Sequence, residues 1–121
     1  MNRALTGAVA HHAGLAAEAG VARHYQRRGL RVEAHRWRGR GGEIDLIARD
    51  GGEIVFVEVK KSRSMAAAAA HLSQRQMRRL QLAALEYLVG EPAGQNTPMR
   101  FDVALVDAMG RIEVLENAIG H

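Results

Sequence analysis

From Leu5 to about Gly29 the apolar positions recur at helical spacing, with Leu15, Ala19, Ala22 and Tyr25 in register and Arg27, Arg28 and Gly29 closing the run. A basic last turn followed by glycine is an ordinary helix stop, so this segment predicts a long first helix. Leu30 to Trp37 alternates as a strand does, and Gly39, Gly41 and Gly42 break it. Two strands follow, Glu43 to Asp50 and Glu53 to Lys60, joined by Gly51-Gly52. Two glycines between alternating runs predict a hairpin with a two-residue loop. Lys61 to Ala70 is polar and then alanine-rich, either a loop or the lead-in to a helix. Leu72 to Leu88 has helical period, with Leu72, Leu80, Ala84 and Leu88 on one stripe. Gly90 to Pro98 is rich in turn residues, and Phe101 to Val106 and Ile112 to Leu115 are short strands around Met109-Gly110. The element order is αβββαββ, in one domain of the α/β class.

The two-residue loop sets which residues face each other across the hairpin. Asp50 opposes Glu53, and all paired numbers sum to 103. Asp45 then lies opposite Glu58, Glu43 opposite Lys60 and Ile47 opposite Phe56. With side chains alternating between faces, Ile44, Leu46, Ala48, Val55, Val57 and Val59 form one apolar face that the core must cover. Glu43, Asp45, Glu58 and Lys60 gather on the other face, at one end.

Composition narrows the classes available. The chain has 121 residues, enough for one domain that buries roughly two thirds of its unfolded surface. Cys is absent, which removes disulfides, thiolate metal sites and thiol nucleophiles and fits a reducing compartment. His11, His12 and Glu18 interrupt the N-terminal apolar residues before a signal peptide or membrane span develops. A soluble cytoplasmic protein is expected. Lys plus Arg number 17 against 13 Asp plus Glu, a net charge of +4, and only Lys60 and Lys61 are lysines. Arginine's bidentate fork suits phosphate, so a polyanionic partner is favoured.

The chemistry is concentrated at Asp45 and Glu58. Directly opposed residues have Cβ atoms roughly 4.5–5.5 Å apart, and like charges there destabilise a sheet. A hard divalent cation such as Mg²⁺, or Mn²⁺ in its place, removes the conflict, since it takes one or two carboxylates and keeps positions for water and phosphate. Lys60, two residues beyond Glu58 on the same face, puts an ammonium within reach of that water or phosphate. The competing reading pairs Glu43 with Lys60 as an ordinary cross-strand ion pair at a solvated edge.

An Asp on one strand and Glu-x-Lys on the next resemble the PD-(D/E)xK signature of restriction-endonuclease-like nucleases. The longer stretch Gly42-Glu-Ile-Asp-Leu-Ile-Ala-Arg-Asp50 with Val55-Phe-Val-Glu-Val-Lys60 resembles the YraN family of small bacterial proteins of that fold. Gly14, Glu18 and Ala22, the Arg78-Arg79-Leu80 helix with Tyr87-Leu88, and Arg100-Phe-Asp-Val103 extend the likeness along nearly the whole chain. Ile44 stands where the named motif has Pro. The resemblance implies an αβββαβ core, a mixed sheet flanked by helices, and Mg²⁺-dependent hydrolysis of phosphodiesters. Carried over by position, Asp45 and Glu58 hold the metal, the Val59 carbonyl reaches it, and Lys60 positions or activates the attacking water.

Glu18 shares a helix face with Leu15, Val21, Ala22 and Tyr25. It is either a further metal ligand, as a first-helix carboxylate is in several nucleases of the superfamily, or a Glu at the border of the apolar stripe. Asp102 reads as a structural strand residue. If the strand runs on through Gly39, Arg36, Arg38 and Arg40 share a face, with Trp37 opposite in the core or stacked on an unpaired base. Arg75, Arg78 and Arg79 make a second basic cluster. The expected function is a metal-dependent endonuclease acting on DNA. By analogy with small resolvases of this fold, it would favour branched DNA and act as a homodimer. A non-catalytic nucleic-acid-binding adaptor with the same fold is the alternative.

Overall fold

The computed structural model describes residues 3–70 and 73–118, with side chains for 14–68 and 73–118. Its elements are α1 (Arg3–Arg27), β1 (Arg31–Arg38), β2 (Glu43–Asp50), β3 (Glu53–Lys61), α2 (Met65–Ala70), α3 (Gln74–Leu88), a 3₁₀ turn (Gly94–Asn96), β4 (Met99–Val106) and β5 (Ile112–Leu115). The alanine-rich segment therefore forms a short helix. Leu72, expected to open the next one, lies outside the described residues, as do the side chains of His11 and His12. α3 begins instead after Ser73, whose hydroxyl accepts a hydrogen bond from the Gln76 amide.

The strands form one five-stranded sheet in the order β1-β2-β3-β4-β5. β3 and β4 are parallel and the other pairs antiparallel. A parallel pair needs a long crossover, which α2 and α3 supply. The hairpin register is the expected one, from Asp50↔Glu53 through Ile47↔Phe56 to Leu46↔Val57. Gly51 adopts φ 59°, the left-handed conformation such a tight turn requires.

Both faces of the sheet are covered, so the hairpin is not apolar on one side only. Val21, Ala22 and Tyr25 of α1 pack on Leu46, Ala48, Val55 and Val57. Leu80, Ala84 and Leu88 of α3 pack on Ile44, Ile47, Ile54 and Phe56. Phe56 stacks on Phe101 and meets Tyr87 edge-on, and Tyr87 in turn meets Trp37, at centroid distances of 5.5, 5.8 and 5.4 Å. Trp37 thus belongs to the core beneath α3. Leu15, expected on the buried stripe of α1, is 40% exposed, and Ala17 is the first buried residue of that helix among the described side chains.

Ile44 departs from the period-two expectation. It joins Ile47 under α3 while Leu46 faces α1, so the alternation breaks at Asp45. Arg36, which lies across from Asp45 in the register of β1 on β2, has φ 48°. A non-glycine residue at positive φ marks a local irregularity that re-aims side chains. Here it falls beside the carboxylate cluster.

Candidate metal and phosphate site

The turn between β1 and β2 seats the first residues of β2. Gly39 and Gly42 close it through a 2.9 Å bond from the Gly39 amide to the Gly42 carbonyl. The Glu86 carboxylate of α3 accepts from the Arg40 and Gly41 amides at 2.7 and 3.2 Å. A Cβ at Gly39 would lie 1.8 Å from Glu86 Oε2, and one at Gly42 3.3 Å from the Arg79 carbonyl oxygen. Glycines at these positions let the turn settle closely onto α3, and in doing so place Asp45, three residues on. Nothing in the spacing of the sequence singles out Glu86, because its partners are main-chain amides 45 and 46 residues away.

Beyond Leu46↔Val57 the two strands part, and the Asp45 carboxylate occupies the gap. Its Oδ2 accepts the Val59 amide at 2.8 Å. A strand residue's N–H and C=O leave on the same side, so the Val59 carbonyl faces that gap too. Lys60 Nζ sits 3.2 Å from Glu58 Oε1, with side chains 15% and 21% exposed. The Glu43–Lys60 ion pair of the competing reading is not formed. Lys60 turns to its own-strand neighbour, while Glu43 takes Arg38 at 3.2 Å, because the strands have already separated at that level.

Glu18 reaches the same mouth from α1, and its Oε2 accepts Arg36 Nε at 2.9 Å. Asp45 is pushed up to about 7, first by burial and then by the negative charge of Glu58, with Glu18 adding to the rise. The Val59 amide and Lys60 act in the opposite direction and do not offset it. Among the described residues no three His, Asp or Glu side chains come together tightly enough to hold a metal by themselves. Two carboxylates and a carbonyl around a charge-repulsive gap do suit a hard cation, which fills its other positions with water or phosphate.

The arginines divide into paired and open groups. β1 ends at Arg38, so Arg36, Arg38 and Arg40 do not form one strand face. Arg36 is turned to Glu18, and Arg40 lies in the turn. Arg75, Arg78 and Arg79 are exposed on the first turns of α3. Because Gly42 rests against Arg79, Arg40 and the α3 cluster meet around one loop beside β2. Asp102 is fully buried and structural: its carboxylate accepts Tyr25 Oη at 2.7 Å, Arg100 Nε at 3.1 Å and the Asn117 amide at 2.9 Å.

A mixed sheet with α1 on one face, α2 and α3 on the other, and Asp…Glu-x-Lys at the parting of a hairpin defines an α/β protein with a restriction-endonuclease-like core. The sequence profile described as "Uncharacterised protein family UPF0102" matches residues 17–106. The chain belongs to that family, the YraN family. A UPF0102 protein of Cereibacter sphaeroides is 64% identical over 114 residues, covering 94% of this chain and 97% of the relative. One of Ruegeria pomeroyi is 64% identical over 111 residues, covering 92% and 90%, and one of Dinoroseobacter shibae is 52% identical over 104 residues, covering 86% and 78%. No helix among the described residues is long and apolar enough to cross a membrane.

Proposed function

We propose that this protein is a divalent-metal-dependent nuclease acting on DNA, with Mg²⁺, or Mn²⁺ in its place, held by Asp45, Glu58 and the Val59 carbonyl. The observation that carries the reading is the half-buried Asp45, whose carboxylate has the Val59 amide as its donor among the described residues and whose pKa is raised by desolvation and by the charge of Glu58, an arrangement that costs stability. Bound there, Mg²⁺ would supply a water of lowered pKa and a counter-charge for the phosphate under attack.

The chain's own groups do the rest. The Val59 amide fixes the orientation of the Asp45 carboxylate, and Glu58 would supply the second carboxylate oxygen. Lys60, oriented by Glu58, offers its ammonium to the attacking water or the phosphate oxygens. Glu18 is the third carboxylate at the mouth and the further candidate ligand, with Arg36 holding its position. Arg38, Arg40, Arg75, Arg78 and Arg79 stand on the surface around the β1–β2 turn and α3, suited to grip backbone phosphates on either side.

The direct test is a gel assay on linear, flapped and four-way DNA with Mg²⁺ or Mn²⁺, run beside Asp45→Ala and Lys60→Ala. Cutting by the wild type that vanishes in both variants, while their DNA binding persists, is the expected result. If every substrate is shifted, none is cut and Asp45→Ala shifts them equally, the protein is a binding adaptor and the nuclease reading fails.

A further inference from the structure

At the ends of β3 and β4, on the α1 side of the sheet, lies a cleft of about 550 Å³, within the range of roughly 300–1,000 Å³ typical of small-molecule sites. Its floor is small and apolar: Ala16, Ala17 and Gly20 of α1 face Val106 and Ile112 of the last two strands. Cations line it from two elements, Arg23 from α1 and Lys61 and Arg63 from the end of β3 and the segment that follows. Asp107, the acid among its described lining residues, is already occupied within its own turn. Its carboxylate accepts the Met109 and Arg111 amides at 2.9 Å and Arg111 Nε at 2.7 Å. Arg23 and Arg63 make no ion pair among the described residues.

The position of the cleft ties it to the proposed site. β3 and β4 run parallel and both end here, and ligands of open α/β sheets bind outside the carboxyl ends of the strands. Lys60 and Lys61 are consecutive strand residues and leave on opposite faces, one toward Glu58 and the other into the cleft. Likewise α1 carries Glu18 to the carboxylate mouth and its neighbour Ala17 to the cleft floor. An apolar floor edged by cations suits a ligand with a flat, weakly polar body and an anionic end.

We propose that the cleft receives one nucleotide of the strand bound at the Asp45 site, its phosphate against Arg23, Lys61 and Arg63 and its base on the apolar floor. The inference rests on the nuclease reading and deepens it by naming the substrate class. A base enters the cleft only when it is unpaired, so the preferred DNA carries a single-stranded or splayed element beside the cut.

Binding in EDTA separates this from catalysis. Fluorescence anisotropy of the full chain would compare a labelled single strand with the same sequence as a duplex, with thymidine 5′-monophosphate as competitor. Arg63→Ala removes one exposed cation. Gly20→Leu fills the floor, where even a Cβ lies 3.5 Å from Ile112 Cδ1. Both variants are expected to weaken the single strand about 5- to 10-fold and the duplex less than about twofold, with unchanged melting temperature for Arg63→Ala. Equal loss on both DNA forms, or no loss on the single strand, overturns the proposal. Competition by the free nucleotide as effective as that by the strand also overturns it, making the cleft a site for a small ligand. Selective single-strand binding without any cutting in Mg²⁺ sustains the cleft and overturns the nuclease reading instead.

Discussion

Asp102 of β4 and Asp45 of β2 show two ways of setting a carboxylate into the same sheet. Around Asp102 donors converge from three elements: a tyrosine hydroxyl, a guanidinium and a main-chain amide. Burial and the Asp102 charge together drive the Tyr25 hydroxyl far above the ordinary phenol range, so it stays a donor at all working pH values. Around Asp45 the donor among the described residues is the Val59 amide, and the nearby charges are Glu58 and Glu18, with Lys60 acting against them. A carboxylate that serves the fold is surrounded by donors. One left short of donors, with another acid beside it, has room for a cation.

The sharpest break of this comparison is catalytic. Removing a ligand or the cation beside the water should cost far more activity than stability: Asp45→Ala or Lys60→Ala is expected to lower Mg²⁺-dependent cleavage by about 10³-fold or more, measured by single-turnover assays on folded protein. Asp102→Ala should do the reverse. It leaves the Tyr25 hydroxyl buried without its acceptor and Arg100 with Glu53 as its remaining partner, at about 3 kcal/mol, read as a shift of the urea midpoint.

Asp45→Asn sharpens the contrast through pH. The folded-state value of about 7 lies above the unfolded value near 3.9, so the folded protein holds the proton more tightly and wild-type stability falls as pH rises between these two values. Asn keeps an acceptor for the Val59 amide and carries no charge. The variant should therefore match wild type near pH 4 and exceed it above pH 7 by roughly 2–4 kcal/mol. Comparing the two proteins at each pH isolates this group from other carboxylates, such as Glu33, held low chiefly by its hydrogen bond from Arg49. A constant difference across the range would show that Asp45 is ionised without strain.

Mg²⁺ should restore what the repulsion takes away. At about 100 times its Kd the ion would stabilise wild type by about 2.7 kcal/mol at pH 8, seen as a raised Tm, and leave Asp45→Asn nearly unmoved. An equal rise in both would place the ion elsewhere. The smallest structural effect is expected for Arg38→Ala. Its pair with Glu43 is 80% exposed on the arginine side, so Tm should not change measurably, while the salt dependence of DNA binding should lose about one unit of slope.

The hairpin was legible in the sequence because its determinants are local. Gly51-Gly52 fixes the turn, and the turn fixes the register from Asp50↔Glu53 to Leu46↔Val57, with Asp45 and Glu58 the next residues beyond the last pair. Asp…Glu-x-Lys and the family resemblance rest on that same stretch. The helix runs were legible too, since a 3.6-residue period reports one buried stripe, although it overreached at Leu15. The parting of the strands was not. It depends on Glu86 and Arg79 of α3 receiving the Gly39–Gly42 turn and on Arg36 at positive φ, and neither is a property of the hairpin's own residues. For that reason period two misplaced Ile44, and the register carried past Leu46 set Glu43 opposite Lys60.

The amino-acid order alone was enough for the α/β class, the five strands, the two long helices, and an Asp…Glu-x-Lys series at one end of the hairpin. Only the tertiary structure decided that β4 lies parallel beside β3, that Glu18 arrives at Asp45 from α1, and that Arg23, Lys61 and Arg63 share a cleft. The division follows from range. Turn chemistry and periodicity act between residues a few positions apart, whereas a gap between strands or a cleft against a helix exists only once distant segments exclude water from each other.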